Sequence, residues 1–469
     1  MALAVTGLAL LFTRSAYDNF DGLIMGQVAQ NLADHHSVTV AFDPLKIDSP
    51  YASFGLGMSL LMVPSYLVGK LLGAAPMAGI MATNAWLLGA LAALVYAWCR
   101  LRDCARHRSL AVALLVAVGG GVLPYTSTGF SEVGLAVAVT GGVVALTAMT
   151  RERRGAAAAV GAACGAAVLL RSDSALLFAP WLVIGALLMS KDRRRAVASI
   201  IAGALPFAVV WAAYNQARFG RPWKLGYSDV LVLNHGVAPG LYGLLLSPGK
   251  GIVVYAPLLL VGVLGARAAW RAERVVVSVI ATTFVARVVF FAVYWGWYGG
   301  GSFGPRFLVP LYPLVTVALI PLARGDVRPR RPLVVVAAAV CALSVLVSIA
   351  GAAVAYEKNG QLHALAQVKP GPDERTGLPY VRFLEAAATE SAIDRRVLAW
   401  QHVPVVDEIG DLLHGRHIAS AALTSRTPHA SRVHRLAGAL ALMLAGAFVA
   451  VAPLAARRRA DQLSGPTTA

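Results

Sequence analysis

Residues Tyr17 to Tyr51, YDNFDGLIMGQVAQNLADHHSVTVAFDPLKIDSPY, decide how this chain is read. The stretch holds Asp18, Asp21, Asp34, Asp43 and Asp48 between two apolar segments of a protein that is otherwise hydrophobic and basic. Phe20, Ile24, Val28 and Leu32 recur every four residues, which predicts an amphipathic helix lying on a membrane with its polar side toward water. Asp18 is then a natural N-cap, and Asp21 falls in the first turn, where a carboxylate favours the helix dipole. A carboxylate so close to the headgroup plane is also suited to take a proton. From the residues alone, capping and catalysis both stay open.

The rest of the chain says why this loop lies beside a membrane. Of its 469 residues 58% are hydrophobic and 14% charged, with a mean hydropathy of +0.67. A soluble domain cannot hide that much apolar surface, so most of the chain belongs in lipid. Lys and Arg number 41 against 23 Asp and Glu, a formal charge of +18. The arginines cluster in short loops between apolar runs, where they set membrane orientation, and this argues against nucleic-acid binding.

Apolar runs lie at 2–12, 54–72, 77–98, 109–124, 132–150, 155–170, 174–190, 196–213, 252–266, 275–294, 307–323, 333–355 and 435–456. Between them stand Arg100/Arg102/Arg106/Arg108, Arg151/Arg153/Arg154, Lys191/Arg193/Arg194/Arg195, Arg267/Arg271/Arg274, Arg324/Arg328/Arg330/Arg331 and the tail Arg457/Arg458/Arg459. If all six clusters are cytoplasmic, an even number of spans separates each pair. The run 54–72, with Gly55, Gly57, Pro64, Gly69 and Lys70, then does not cross and reads as an interfacial or re-entrant helix. The expectation is an all-α polytopic membrane protein of about twelve spans with both termini inside. Residues 1–355 form the membrane module, with a first outer loop over 13–76. A small extracytoplasmic segment follows at 356–434, then a last helix and basic tail at 435–469. The first run is short for a bilayer, which suggests that the true start lies upstream.

The four cysteines make no disulfide framework: Cys164 and Cys341 sit within apolar runs, and Cys99 and Cys104 flank a basic loop on the reducing side. No Walker loop, dinucleotide fingerprint, zinc spacing or internal repeat is present, which leaves ATP-driven transport without a motor in this chain.

A short first span, an acidic residue opening a helix of the form D…VAQNL, and a following loop with a lysine and a Pro/Gly-containing apolar stretch (Lys46 to Gly69) resemble the C-type glycosyltransferases of bacterial envelopes. GLYGLLLSPGKGIVVYAPLLL (Gly240 to Leu260) and WGWYGGGSFGPRFLVPLYP (Trp295 to Pro313) resemble proteins related to protein mannosyltransferases and the lipid A aminoarabinose transferase. The resemblance covers roughly residues 1 to 320. It implies a bundle of membrane helices and a donor sugar carried on polyprenyl phosphate, passed to an envelope glycan, lipid or protein acceptor on the outer side of the cytoplasmic membrane, with inversion.

Under that resemblance Asp21 is the general base for the acceptor hydroxyl, with Asp18 beside it. Lys46 and Arg306 hold the departing phosphate, Arg306 being constrained by the preceding Gly304-Pro305. Lys46 departs from the family's lysine followed closely by two prolines, since Lys46-Ile47-Asp48-Ser49-Pro50 stands there, and Asp48 is an alternative carboxylate. Ser247-Pro248-Gly249-Lys250-Gly251 reads as a tight, outward-facing turn whose Lys250 holds phosphate, or as a plain turn. Trp297 and Tyr298 either stack on a sugar or belong to the aromatic belt, and Ser302 is a further contact for sugar or acceptor. Glu132 is a second candidate carboxylate or an ordinary loop residue, and Arg171 with Asp173 is a structural pair or a donor contact. His402, Asp407, Glu408, Asp411, His414 and His417 are more simply a solvated amphipathic helix than a divalent-metal site, so no metal is assigned. The competing reading is a non-enzymatic transporter or flippase of a lipid-linked glycan, which also needs interfacial cations; a scaffold for envelope assembly is a third.

Overall fold

A computed structural model of the chain describes residues 1–14, 19–41, 50–226, 231–354 and 403–416. Asp18, Lys46, Asp48, His402, His417 and the runs 356–402 and 417–469, including the expected last span and basic tail, lie outside the described residues.

The amphipathic helix near the start of the chain forms where its spacing predicts it. After α1 (Ala2–Leu10) comes α2 (Phe20–His35), which buries Ile24, Met25, Val28 and Ala29. Its N-cap is Asn19 rather than Asp18: the Asn19 side chain accepts from the Gly22 N–H at 2.7 Å. Asp21 is the acidic residue of the first turn. α3 (Leu56–Leu71) runs back against α2, and their far ends are tied by Asp34, which accepts from the Tyr66 hydroxyl and from Lys70 Nζ, the latter at 2.9 Å. The start of α3 presses on the backbone at the end of α8 (Ala156–Leu170), where a Cβ on Gly55 would lie 2.6 Å from the Leu169 carbonyl oxygen. Small residues are required there because backbone meets backbone.

The membrane bundle follows. α4 (Pro76–Met81) leads into α5 (Thr83–Leu101), α6 (Arg106–Gly119), α7 (Glu132–Met149), α8, α9 (Ser174–Leu177), α10 (Ala179–Met189) and α11 (Arg193–Phe219). Then come α12 (Val237–Leu245), α13 (Ile252–Tyr255), α14 (Leu258–Ala272), α15 (Arg274–Ala292), α16 (Thr316–Arg324), α17 (Arg331–Ala353) and α18 (Pro404–Leu413). Among the described residues six helices are long and apolar enough to cross a membrane, and every named element is helical. Several runs expected as single spans are broken. The run 174–190 divides ahead of Pro180, 252–266 divides ahead of Pro257, and 307–323 begins as a 3-10 helix over Arg306–Val315 holding Pro310 and Pro313. Each proline removes a backbone donor and clashes with the turn before it, which ends or tightens the helix.

The basic loops collect at one end of the bundle. Arg102 pairs with Glu273, Arg151 with Asp103, and Lys191 with Glu152, while Arg108 donates to the carbonyls of Ala323 and Arg324 at 2.9 and 3.2 Å. These contacts join all five described basic clusters. Glu132 and Arg151 stand at opposite ends of α7, whose 18 residues rise about 27 Å, close to the thickness of a hydrocarbon core.

Candidate active site

At the other end from the basic loops, three segments distant in sequence meet. α2 approaches the loop before α7 so closely that a Cβ on Gly22 would lie 2.8 Å from the Gly129 Cα. That loop is held by Asn84 at the start of α5, which donates to the carbonyls of Tyr125, Thr128 and Phe130 at 3.1, 2.8 and 3.0 Å. The third segment is the glycine-rich turn that ends at Arg306, with Gly299, Gly300 and Gly304 at φ of 72, 68 and 63°. Only glycine enters that region without strain.

Arg306 is the centre. Its Nη2 donates to Asp21 Oδ2, its Nε donates to Glu132 Oε1 at 2.7 Å, and its guanidinium lies 3.7 Å from the Phe130 ring centroid. The same Glu132 oxygen accepts from Arg171 Nη1 at 3.2 Å, Arg171 reaches Asp173 at 3.3 Å, and Asp173 accepts from Arg287 Nη2 at 3.5 Å. Asp21, Arg306, Glu132, Arg171, Asp173 and Arg287 thus form a chain of alternating charge that sums to zero. Glu132 is fully buried and Arg287 2% exposed, whereas Asp21, at 23%, is the most open carboxylate of these three. Burial pulls the Asp173 carboxyl up, but Arg171 and Arg287 outweigh it and hold its pKa below the ordinary value. Oε2 of Glu132 and Oδ1 of Asp173 are buried with no hydrogen-bond partner among the described residues. Phe307 stacks on Phe291 at 4.1 Å, and its ring lies 5.3 Å from the Arg171 guanidinium.

The structure therefore brings Asp21, Arg306 and Glu132 together. Glu132 is no ordinary loop residue: it opens α7 and is shared by two arginines. Lys250 and Ser302 meet each other beside the glycine-rich turn, and the lysine is not exposed at a surface turn. Lys250 is fully buried, and its Nζ donates to the carbonyls of Gly300, at 3.1 Å, and Ser302, and to Ser302 Oγ at 3.2 Å. Trp297 and Tyr298 are 1% and 6% exposed, so both rings are packed inside the protein rather than in an interface belt. The Trp297 ring fills the space over Gly243 and packs on His235 at 5.6 Å. α18 is solvated on one face only: Asp407 and His414 are exposed, whereas Glu408 and Asp411 are buried on the other. Among the described residues no group of three His, Cys, Asp or Glu is placed to hold a metal.

Arg287, Asn84 and Phe130 were not singled out from the sequence. For Arg287 a signal existed, since an arginine within the apolar run 275–294 is costly unless paired inside the bundle. Asn84 and Phe130 gave none.

Beside this end of the bundle an apolar groove of about 700 Å³ runs between α9, α10 and α15, lined by Leu177, Trp181, Thr282, Val285, Ala286 and Val289.

No family model matches the chain, and no curated protein matches it by sequence. Among solved structures it is similar to ArnT from Cupriavidus metallidurans in the apo state, with a TM-score of 0.52 and 15% identity over 89% of this chain and 76% of that one. The same ArnT bound to undecaprenyl phosphate gives 0.49 and 14%, over 88% and 76%. The archaeal oligosaccharyltransferase AglB from Archaeoglobus fulgidus, in complex with an inhibitory peptide and a dolichol-phosphate, gives 0.45 and 12%, over 84% of this chain and 55% of that one. At such identities the likeness is one of fold, and that fold is the membrane-helix bundle of ArnT, an aminoarabinose transferase of the C-type glycosyltransferases that the sequence resembles.

Proposed function

We propose that the chain is a C-type glycosyltransferase of about twelve spans that moves a sugar from a polyprenyl-phosphate donor to an envelope glycan, lipid or protein acceptor, with inversion. The site faces outward from the cytoplasmic membrane, and the basic loops face the cytoplasm. Asp21 is the general base. It is the most exposed acid of the chain of charges, so an acceptor hydroxyl reaches it first, and Arg306 fixes its direction. The observation that carries the reading is the bridge by which Arg306 joins Asp21 and Glu132.

A guanidinium has five N–H donors, so the bonds from Nε and Nη2 leave others for a phosphate oxygen. As negative charge gathers on the departing lipid phosphate, Arg306 stabilises it across a partly buried path where such contacts are strong. Lys46, with Asp48 and Asp18, belongs to the same first loop and completes the donor side in this reading. Lys250 is reassigned from phosphate ligand to support of the Gly300 to Ser302 turn. The groove beside α15 offers an apolar bed for an isoprenoid chain.

The test is transfer from polyprenyl-phosphate pentose or hexose in vesicles containing the purified full chain. Asp21→Asn abolishes transfer while the protein still inserts; full transfer by Asp21→Asn rejects the base. Cysteines placed at Asn19 and Asp103 should be labelled from opposite sides of the membrane, and labelling from one side ends the outward assignment.

A further inference from the structure

The chain of charges ends on Arg287, which the proposed reaction leaves without a role. It stands in α15, a helix apolar and long enough to cross a membrane, and is 2% exposed. An arginine in such a place is costly and marks a function when its partners are specific. Its Nη2 reaches Asp173 Oδ2 at 3.5 Å, and its Nε donates to the Phe307 carbonyl at 2.5 Å. The second bond closes the chain on itself. From Arg306 the contacts run through Glu132, Arg171, Asp173 and Arg287, and back to the residue that follows Arg306. The Phe307 side chain stacks on Phe291 at 4.1 Å, with the guanidinium groups of Arg171 and Arg306 at 5.3 and 5.7 Å from its ring.

Local sequence explains why the Phe307 carbonyl takes a side-chain donor. Arg306 opens the 3-10 helix Arg306–Val315, in which a carbonyl accepts from the N–H three residues on. For Phe307 that residue is Pro310, which has no N–H. Arg287 Nε supplies the donor instead. We propose that Arg287 is a positioning residue that acts through Arg306. By holding the Phe307 carbonyl and Asp173 at once, it fixes the first turn of the 3-10 helix and the direction in which the Arg306 side chain leaves it. A planar guanidinium spans two acceptors at set angles, and an ammonium cannot. The anchor stands on these contacts alone. Its consequence, a departing lipid phosphate met at the correct angle, rests on the glycosyl-transfer reading.

The experiment reads two quantities on the purified full chain in detergent. Amide hydrogen exchange over residues 306–309, followed by mass spectrometry, should rise about tenfold in Arg287→Lys, the scale of one hydrogen bond to a charged group. Pro310→Ala in that background returns the missing N–H and should recover part of the protection. Unchanged exchange, or no recovery, overturns the anchor. Equilibrium binding of polyprenyl phosphate should weaken about tenfold in Kd in Arg287→Lys, at unchanged stoichiometry. The double variant with Arg306→Lys should bind no more weakly than Arg306→Lys alone. An unchanged Kd, additive losses in the double variant, or a fall in stoichiometry at unchanged Kd, as a purely structural role predicts, overturns the positioning role. If the unmodified chain binds no polyprenyl phosphate, the glycosyl-transfer reading fails while the exchange result still judges the anchor.

Discussion

Arg306 Nε and Glu132 Oε1 meet at 2.7 Å where water hardly reaches, for the Glu132 side chain is fully buried and that of Arg306 is 11% exposed. One guanidinium serves two carboxylates there, in different directions, which a point charge on a flexible stem does not reproduce. Arg306→Lys should therefore lower transfer by about 10²-fold or more, with part of the loss in stability, in keeping with about 2–5 kcal/mol for a broken charged contact. Transfer rates and thermal unfolding of the same preparations check this. Near-normal transfer by the lysine variant would remove Arg306 from the chemistry.

Neutralising Glu132 differs from neutralising Asp21. Glu132→Gln leaves three arginines against two acids with little water to screen them, and the cost of such an unpaired buried charge is about 3–5 kcal/mol. Asp21→Asn lies at the open end of the network and should cost less. The order of unfolding temperatures, Glu132→Gln below Asp21→Asn, checks the point, and the reverse order would contradict the buried network.

Gly129→Ala puts a Cβ 2.6 Å from the Gly22 Cα. α2 must then move away from the loop before α7, at a cost of about 1–3 kcal/mol for overpacking, and Asp21 moves with it. Transfer should fall more than stability does. A variant with unaltered melting and unaltered transfer would show that the close approach is not required.

Asn84→Ala strips one side chain from three carbonyls, at a cost of about 1–3 kcal/mol for the acceptors left unpaired. Exchange of amides in residues 125–130 should quicken, while that in α17 stays as it was.

Asp34 ties α2 to α3, and the Tyr66 hydroxyl and Lys70 hold its pKa below the ordinary aspartate value. A carboxyl lowered in the fold stabilises above its unfolded value of about 3.9, and the contribution is lost as pH falls through the folded value. Unfolding followed from neutral pH into acid should show less acid sensitivity in Asp34→Asn than in the unmodified chain. Equal sensitivity would mean that the tie contributes nothing.

Much of the architecture was legible along the chain because it depends on local physics. Hydropathy marks segments bound for lipid, arginine clusters mark the ends that collect on one side, and the spacing of Ile24 and Val28 marks the buried face of α2. Asp21 could be picked out as an acid opening an amphipathic helix, Arg306 as a cation in an outer loop and Glu132 as a second candidate carboxylate. Their meeting could not be read, since it depends on Gly22 against Gly129 and on three carbonyls gathered by Asn84. The same holds for the burial of Lys250 and Glu408, which read as surface residues by type, and of Trp297, which reads as an interface aromatic. Sequence determined which segments are apolar enough for a membrane and which residues were candidates; only the tertiary structure decided which of them share one charged network. Side-chain partnership across 285 residues, as between Asp21 and Arg306, is set by helix packing and leaves no periodic trace.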